Sequence, residues 1–319
     1  MPAPRVPPAS GRSCLQQVQT FLRTVMRVGE SVRAPSYTAM GHAWLRHRHA
    51  TAYLAPIFSD TRSLQLVPTP IRQRIVAQLA GFSPEAVDAM TLMAVVRYRL
   101  LADRLPHAHE RGVRQLVILG AGLDTTAFAL PAWAVAWRVF EVDHPATQAW
   151  KRHQIAQARW AIPPNLAYAP CHFERQDLRS ALTAAGFDRH RPAIVSLFGV
   201  LLYLTGEATQ ALLTTLATFH PGSEVTLTYT SPPDGTDRVV QETLAQASRT
   251  RDPRGERFRG YYHAAAMERL VRAAGFRAVR HHPIETLNAC YFSGRSDGLR
   301  LRALERLLTA VCGDPRMTA

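Results

Sequence analysis

Residues 115–145 read QLVILGAGLDTTAFALPAWAVAWRVFEVDHP, and this stretch decides the predicted fold. An apolar run ends abruptly at the glycine turn of residues 120–122, and a second apolar run ends in Glu141 and Asp143. A strand, a glycine turn, a helix, a second strand and a terminal acid form the layout of a nucleotide-binding βαβ unit. The glycines permit a tight turn and let a ligand approach the backbone closely. The terminal acid can accept hydrogen bonds from two ribose hydroxyls.

Composition and cysteine spacing favour a globular protein of a reducing compartment. The chain has 319 residues, is 47% hydrophobic and has no apolar run long enough to span a bilayer. Residues 1–12 are rich in proline and small residues, which predicts a disordered tail. The four cysteines lie far apart, without a Cys-x-x-Cys pair, so we expect neither disulfides nor a metal site. A cytoplasmic location is expected, and the oligomeric state is open.

The basic charge points to small acidic ligands rather than to nucleic acid. The formal net charge is +14, and Lys151 is the single lysine beside the arginines. The basic residues are scattered instead of gathered on one face with aromatic residues between them, as nucleic-acid binders usually have them. A positive field also attracts an acidic small molecule, and we favour that class of partner.

From residue 115 onwards strands and helices alternate, which predicts a mostly parallel α/β sheet. The predicted strands are 115–120, 137–142, 167–172, 193–198, 224–230 and 276–283. The predicted helices of this half are 124–130, 145–161, 178–186, 206–220, 263–274 and 299–311. Helices are also expected over 13–30, 36–50, 70–80 and 83–105. We therefore divide the chain into a helical N-terminal cap, 13–112, and a core, 113–319, with a partly helical insertion over 231–262. On the second helix His42, His47 and His49 have no metal-ligand spacing and are expected to face solvent.

Three interpretations compete for the glycine turn. A dinucleotide needs a third glycine three residues after the second, and here Asp124 also places a carboxylate where a diphosphate would dock. S-adenosylmethionine has no phosphate and carries a cationic amine and a sulfonium, so an acid at the turn helps. A tight turn without any ligand is the third possibility. We favour the methyl donor.

Several ordered motifs together resemble the leucine carboxyl methyltransferase family, which includes bacterial polyketide carboxyl O-methyltransferases. They are GAGLDTTAFALP, VFEVDHPATQAWKR, FERQDL, the YLT segment after β-strand 193–198, and YFSGRSDGLRL. The similarity extends upstream to SYTA at 36–39 and to Arg97, so it covers roughly residues 31–302. It implies a Rossmann-like class I methyltransferase sheet of seven strands with an antiparallel C-terminal strand. It also implies S-adenosyl-L-methionine as cofactor and S-adenosyl-L-homocysteine as product.

The resemblance assigns roles to individual residues. Arg97 would pair with the carboxylate of the donor's methionine part, as a guanidinium fork matches that group. Asp143 would take the ribose hydroxyls, and Asp177 and Leu178 would hold the adenine. An acid at a strand end can instead cap the next helix, and this alternative stays open. The full set of expected donor-binding residues is Arg97, Gly120, Ala121, Gly122, Asp124, Glu141, Asp143, Asp177, Leu178 and Phe198.

Two positions depart from the family. The family usually has W-E-G-V before the YLT motif, with its glutamate facing the amino-acid end of the donor, whereas this chain reads Leu197-Phe198-Gly199-Val200. Phe198 cannot accept a hydrogen bond from an ammonium, and Asp124 or a backbone carbonyl at Gly120 could compensate. The lesser departure is Thr126, where bacterial relatives often have arginine.

The expected reaction is O-methylation of a small acidic acceptor, such as a natural product. A carboxylate is already ionised near neutral pH and needs no general base, so we expect no catalytic triad. Tyr203 is a candidate to orient the acceptor, with plain packing as the alternative. Arg251, Arg254, Tyr261 and Tyr262 of the insertion are candidate acceptor-binding residues, with a solvated loop as the alternative. A phenol acceptor, a peptide C-terminus, or a protein that binds the cofactor without transferring methyl are other hypotheses.

Overall fold

A seven-stranded sheet with helices on both faces forms the centre of the molecule. The structure is a computed structural model that describes residues 36–234, 236–249 and 257–313. The strands are β1 (Gln115–Leu119), β2 (Arg138–Asp143), β3 (Leu166–Pro170), β4 (Ile194–Leu197), β5 (Glu224–Tyr229), β6 (Ala278–His282) and β7 (Arg306–Val311). The α-helices are α1 (Tyr37–Ala52), α2 (Thr69–Leu79), α3 (Pro84–Glu110), α4 (Pro145–Gln157), α5 (Leu178–Ala184), α6 (Gly206–Ala217), α7 (Arg238–Arg249), α8 (Ala264–Ala273) and α9 (Ile284–Tyr291).

The strand order β3-β2-β1-β4-β5-β7-β6 confirms the predicted sheet. Strands β1 to β5 pair in parallel, and β7 runs antiparallel to both β5 and β6. The chain winds outward from β1 in one direction to β2 and β3 and in the other direction to β4 and β5. The carboxyl end of β1 is therefore the topological switch point, where open α/β sheets bind their ligands.

Buried side chains of β1 explain how the sheet is held between two helical layers. Val117 and Leu119 pack into the apolar cluster formed with α5, α6 and α8. Leu116 and Ile118 point to the other face and pack with α3 and α9. Because successive side chains of a strand alternate between faces, a strand covered on both sides reads as the continuous apolar run seen in the sequence.

The C-terminal segment corrects one prediction. The expected helix over 299–311 is absent, and residues 306–311 form β7 instead. Leu301, Leu304 and Leu308 have helical spacing, but the open edge of β5 offers six paired residues to this segment. Tertiary pairing outweighs a short local pattern here. The helix α9, which the sequence analysis missed, lies just before this segment.

The segment after the glycine turn corrects a second prediction. Instead of a helix over 124–130 it holds two single-turn 3-10 helices, Thr126–Phe128 and Ala132–Ala134. An Asp124 carboxylate oxygen accepts a hydrogen bond from the Thr126 backbone N–H at 2.6 Å, and Pro131 interrupts the chain before a helix can extend. The turn therefore lacks the long helix whose N-terminus would bind a diphosphate.

The N-terminal helices α1 to α3 pack beside the sheet. Ser36 caps α1, since its side chain accepts a hydrogen bond from the Ala39 backbone N–H. Helix α3 is longer than expected and continues to Glu110. The predicted tail over 1–12 and helix over 13–30 lie outside the described residues. Within the described part of the chain, none of the helices has the length and apolar character needed to cross a membrane.

The single lysine ties α4 to the sheet and to the turn. The Lys151 ammonium donates to a Glu141 carboxylate oxygen at 2.6 Å and to the Asp124 backbone carbonyl at 2.6 Å. Both side chains of this ion pair are 1% exposed. Burial raises the pKa of Glu141 to about 7, and the nearby ammonium opposes this rise. A buried charge without its partner is costly, so the position of α4 depends on this pair.

We predict that Lys151→Met destabilises the protein, because it leaves Glu141 without its cation and the Asp124 carbonyl without its donor. Breaking a buried pair by removing one partner costs about 3–5 kcal/mol. Urea unfolding followed by circular dichroism measures this loss. The double variant Glu141→Leu/Lys151→Met is expected to recover much of it, because an apolar pair needs no buried charges.

Arg152→Met is the matched control, since Arg152 is the exposed neighbour of Lys151 on the same helix. Its guanidinium lies over the Tyr168 ring at 5.1 Å, a contact worth about 0.5–1 kcal/mol. Equal stabilities of Lys151→Met and the wild type would contradict the role given to this ion pair.

Candidate functional site

The glycine turn is crowded by the protein itself. Gly120 has φ +69° and Gly122 has φ +48°, a region that favours glycine. A Cβ on Gly120 would lie 2.2 Å from Val200 Cγ2, and a Cβ on Gly122 would lie 3.0 Å from Ala39 Cβ. Both glycines therefore serve packing against neighbouring segments, in addition to any ligand approach expected from the sequence.

A cleft opens beside this turn, and we call it the turn cleft. Its lining comes from the ends of β1, β2, β3 and β4 and from α1 and α3. The lining residues include Ser36, Ala39, His42, Arg46, Arg97, Gly120, Ala121, Gly122, Asp143, Cys171, His172, Phe173, Phe198 and Gly199. Six of the ten predicted donor-binding residues thus meet at one place, although 101 positions separate the first from the last in the sequence.

Asp143 connects the end of β2 to the turn. One carboxylate oxygen accepts a hydrogen bond from the Gly122 backbone N–H, and the other accepts from the His144 backbone N–H at 2.6 Å. The half-buried side chain lines the turn cleft.

Arg97 enters the turn cleft from α3. Its side chain is 4% exposed, and one terminal nitrogen lies 3.3 Å from a carboxylate oxygen of Glu305. The other terminal nitrogen lies 3.3 Å from His42 Nδ1. The Arg97 Nε is buried and has no hydrogen-bond partner among the described residues. A buried donor without a partner is costly, and a bound ligand can satisfy it.

The histidines of α1 correct another expectation. His49 is fully buried and its Nε2 accepts a hydrogen bond from the Ile57 backbone N–H at 3.0 Å, while His42 lines the turn cleft. Burial lowers the pKa of His42 well below its usual value, and the nearby guanidinium groups of Arg97 and Arg46 lower it further. Neutral His42 can therefore accept at Nδ1 from Arg97 and carries its proton on Nε2.

Four predicted donor-binding residues do not reach the turn cleft. Asp124 is 2% exposed and holds Thr126, and Glu141 is occupied by Lys151. Asp177 caps α5 by accepting from the Arg179 and Ser180 backbone N–H groups. Leu178 is buried in the apolar cluster beneath the sheet. For Asp177 the structure shows the helix-capping alternative, and the cleft receives Cys171, His172 and Phe173 from the same loop instead.

A second cavity adjoins the turn cleft, and we call it the apolar cavity. It is open on one side, has a volume of about 750 Å³ and is lined mainly by α1, α2, α3 and α7. Five residues line both spaces: Thr38, His42, Gly199, Tyr203 and Arg257. The predicted orienting residue Tyr203 therefore stands at the junction, with its ring 5.6 Å from that of Phe258.

The insertion residues are divided between different environments. Tyr261 lines the apolar cavity. Tyr262 is not among the residues that line either space, and its hydroxyl donates to the Thr209 hydroxyl at 3.0 Å. Its role at the acceptor site stays a prediction. Arg251 and Arg254 lie outside the described residues. Arg257, from the same arginine-rich run, is exposed and reaches the junction of both spaces.

Sequence reasoning missed two charged residues of the site. Arg46 is 2% exposed, donates to the Leu123 carbonyl at 2.7 Å and pairs with Asp60 at 2.8 Å, so it supports the turn from α1. No motif in the sequence marks it among the scattered basic residues. Glu305 lies 208 positions from Arg97, and no motif marks it. Among the described residues, no group of three or more His, Cys, Asp or Glu side chains could hold a metal ion.

Comparisons with known proteins point to one protein family. The leucine carboxyl methyltransferase family matches residues 39–217. A Bacillus subtilis protein named as a candidate S-adenosyl-L-methionine-dependent methyltransferase, YktD, is 32% identical over 299 residues, which cover 86% of this chain and 95% of that protein. A Parafrankia protein named in the same way is 33% identical over 200 residues, 60% of this chain and 61% of that protein.

A solved structure shows the likeness of the fold. The crystal structure of a candidate methyltransferase from Thermobifida fusca has a TM-score of 0.54 to this chain at 17% identity. The match covers 88% of this chain and 96% of the other. At this identity the comparison concerns the fold alone, and it places the sheet among those of class I methyltransferases.

We predict that Gly120→Ala destabilises the protein even without ligand. The left-handed conformation costs a residue with a Cβ about 1–2 kcal/mol, and the clash with Val200 adds to this. The double variant Gly120→Ala/Val200→Ala removes the clash but keeps the backbone strain, so partial recovery is expected in urea unfolding. Gly206→Ala is the control, because a Cβ there meets open space. An undiminished stability of Gly120→Ala would refute the packing role of this glycine.

Proposed function

Because this chain belongs to the leucine carboxyl methyltransferase family, we propose that it transfers a methyl group from S-adenosyl-L-methionine to a carboxylate of a small acidic molecule with an apolar body. Dependence on S-adenosyl-L-methionine follows from the family. The choice of a carboxylate acceptor is the proposal. The observation that carries it is the apolar cavity, which meets the turn cleft at Tyr203 and Arg257.

The residues of the turn cleft fit the donor. Asp143 would accept from the ribose hydroxyls, because its carboxylate lies at the end of β2 and lines the turn cleft. Arg97 would bind the carboxylate of the methionine part, and its buried Nε is a donor still to be satisfied. Cys171, His172 and Phe173 would surround the adenine in place of Asp177 and Leu178. These contacts all involve parts of S-adenosyl-L-methionine, a molecule that has no phosphate.

For methyl transfer to a carboxylate, the protein has to align the two reactants and exclude water. It does not have to transfer a proton. The bound donor supplies an electrophilic methyl group on a sulfonium. The acceptor carboxylate is ionised near neutral pH and attacks without a general base. His42 is neutral and carries its proton on Nε2, so it suits a hydrogen-bond donor to a carboxylate better than a base. Tyr203 and Arg257 would align the acceptor at the junction, where proximity and orientation lower the barrier to transfer.

The apolar cavity supports an acceptor larger than a simple organic acid. Its volume of about 750 Å³ lies within the usual range of ligand pockets. Its walls are mostly aliphatic, aromatic and thioether side chains: Leu45, Ile75, Leu79, Phe82, Met93 and Leu244. Burying such an acceptor contributes binding in proportion to its apolar area. Arg257 stands at the end where the reacting carboxylate would lie.

We expect labelled S-adenosyl-L-methionine to methylate aryl- and alkyl-substituted carboxylic acids, with a turnover that rises with the size of the apolar body. The product is a methyl ester, so mild base should release the label as methanol. Matched alcohols and phenols serve as controls. Label that withstands base would point to another acceptor atom, and donor binding without label transfer to any acid would reject the proposed reaction.

Leu244→Trp tests the acceptor site directly. Leu244 lies on α7 in the wall of the apolar cavity, so a larger ring there should raise the KM for bulky acids at least tenfold. Acids with short chains and the donor itself should bind as in the wild type. Val76→Trp is the control, because Val76 is 48% exposed on α2. A KM for bulky acids that stays constant in Leu244→Trp would place the acceptor elsewhere.

A further inference from the structure

Arg97 and Glu305 form a buried pair that the sequence does not suggest. Arg97 comes from the middle of α3, and Glu305 immediately precedes β7. Their side chains are 4% and 14% exposed, and the ion pair measures 3.3 Å. Glu305 lines the apolar cavity, and Arg97 lines the turn cleft. The pair therefore lies where the two spaces adjoin, on the side shared with His42 and Gly199.

This pair offers one positive and one negative group to a ligand. The amino-acid end of S-adenosyl-L-methionine is a zwitterion, with a carboxylate and an ammonium on the same carbon. A buried site accepts charge at low cost only when every charge finds an opposite partner and hydrogen bonds. A zwitterion adds no net charge to an arginine–glutamate pair. Its carboxylate can pair with the arginine while its ammonium pairs with the glutamate.

We propose that Glu305 binds the ammonium of the donor while Arg97 binds its carboxylate. Phe198, which follows β4, cannot accept a hydrogen bond from an ammonium. Its ring centroid lies 6.0 Å from the Arg97 guanidinium carbon, so it packs on the arginine and leaves the acid to another segment. Glu305 supplies that acid from the other end of the chain.

The hydrogen bonds of Arg97 agree with this division. Neutral His42 accepts from one terminal nitrogen, and Glu305 accepts from the other. The Nε is buried and has no partner among the described residues, so a ligand carboxylate that reached this edge of the guanidinium would satisfy a donor that the protein leaves unpaired. Gly199 allows this arrangement, because a Cβ there would lie 3.1 Å from the guanidinium.

Binding measurements separate the two charges, and they rest on the donor cleft proposed above but not on the identity of the acceptor. Three ligands are compared by calorimetry: S-adenosyl-L-homocysteine, its analogue without the α-amino group, and 5′-methylthioadenosine, which lacks the amino-acid part. Glu305→Gln should weaken the first at least tenfold and change the Kd of the other two less than twofold. Glu285→Gln, an exposed acid in the first turn of α9, is the matched control and should change none.

Equal weakening of the first two ligands by Glu305→Gln would mean that Glu305 only positions Arg97, and this would overturn the proposal. An unchanged affinity for S-adenosyl-L-homocysteine would overturn it as well. If 5′-methylthioadenosine fails to bind the wild type, the cleft itself is wrongly assigned and the proposal falls with it.

If Glu305→Gln does not fold, Glu305→Asp carries the test. Its carboxylate is one methylene shorter, so it should weaken S-adenosyl-L-homocysteine more than the desamino analogue. Equal weakening of both ligands by Glu305→Asp would overturn the proposal.

Discussion

The close approach of the turn after β1 to the segment after β4 determines the arrangement of the site. A Cβ on Gly120 would come within 2.2 Å of Val200 Cγ2. The Val200 side chain therefore packs directly against the backbone of Gly120, where there is no room for a side chain. This contact brings Gly199 against Arg97 and brings Tyr203 to the junction of the two cavities. A looser turn would move apart the surfaces that must hold two reactants in line.

Charges buried around this contact hold it from several directions. Lys151 supports the turn through the Asp124 carbonyl, and Arg46 supports it through the Leu123 carbonyl. Each cation has a buried carboxylate partner, Glu141 and Asp60 respectively. Because a cation left without its partner would be costly to bury, the turn is tied to α1, α4 and β2 at once. Its geometry does not depend on a helix beginning at the turn.

The sheet could be predicted from the sequence because its central strands are buried on both faces. The run Leu116 to Leu119 in β1 is then continuously apolar and is followed by glycine, and β4 is apolar except for Ser196. Residues 299–311 could not be interpreted in this way. Their leucines fit a helix as well as a strand, and pairing with β5 decided the outcome. The helix expected after the turn failed for a local reason, because Asp124 holds a single 3-10 turn.

The site was partly predictable because its glycines, Arg97 and Asp143 lie in motifs that resemble a known family. Asp124 and Glu141 looked equally suitable, yet burial gave both of them protein partners. Only tertiary structure could reveal Glu305, since a residue 208 positions from its partner leaves no periodic signal. Arg46 was hidden for a different reason: in a chain with so many arginines, a buried one is not distinguishable by composition.

The burial of Lys151 also gives the folded protein an unusual chemical inertness. This chain has no other lysine side chain, and this one is 1% exposed within an ion pair. An amine-directed label or an endoproteinase specific for lysine should therefore leave the interior of the native chain untouched. Reaction at position 151 requires the opening of α4 from the sheet, so labelling or cleavage there would report how often the region that supports the turn opens.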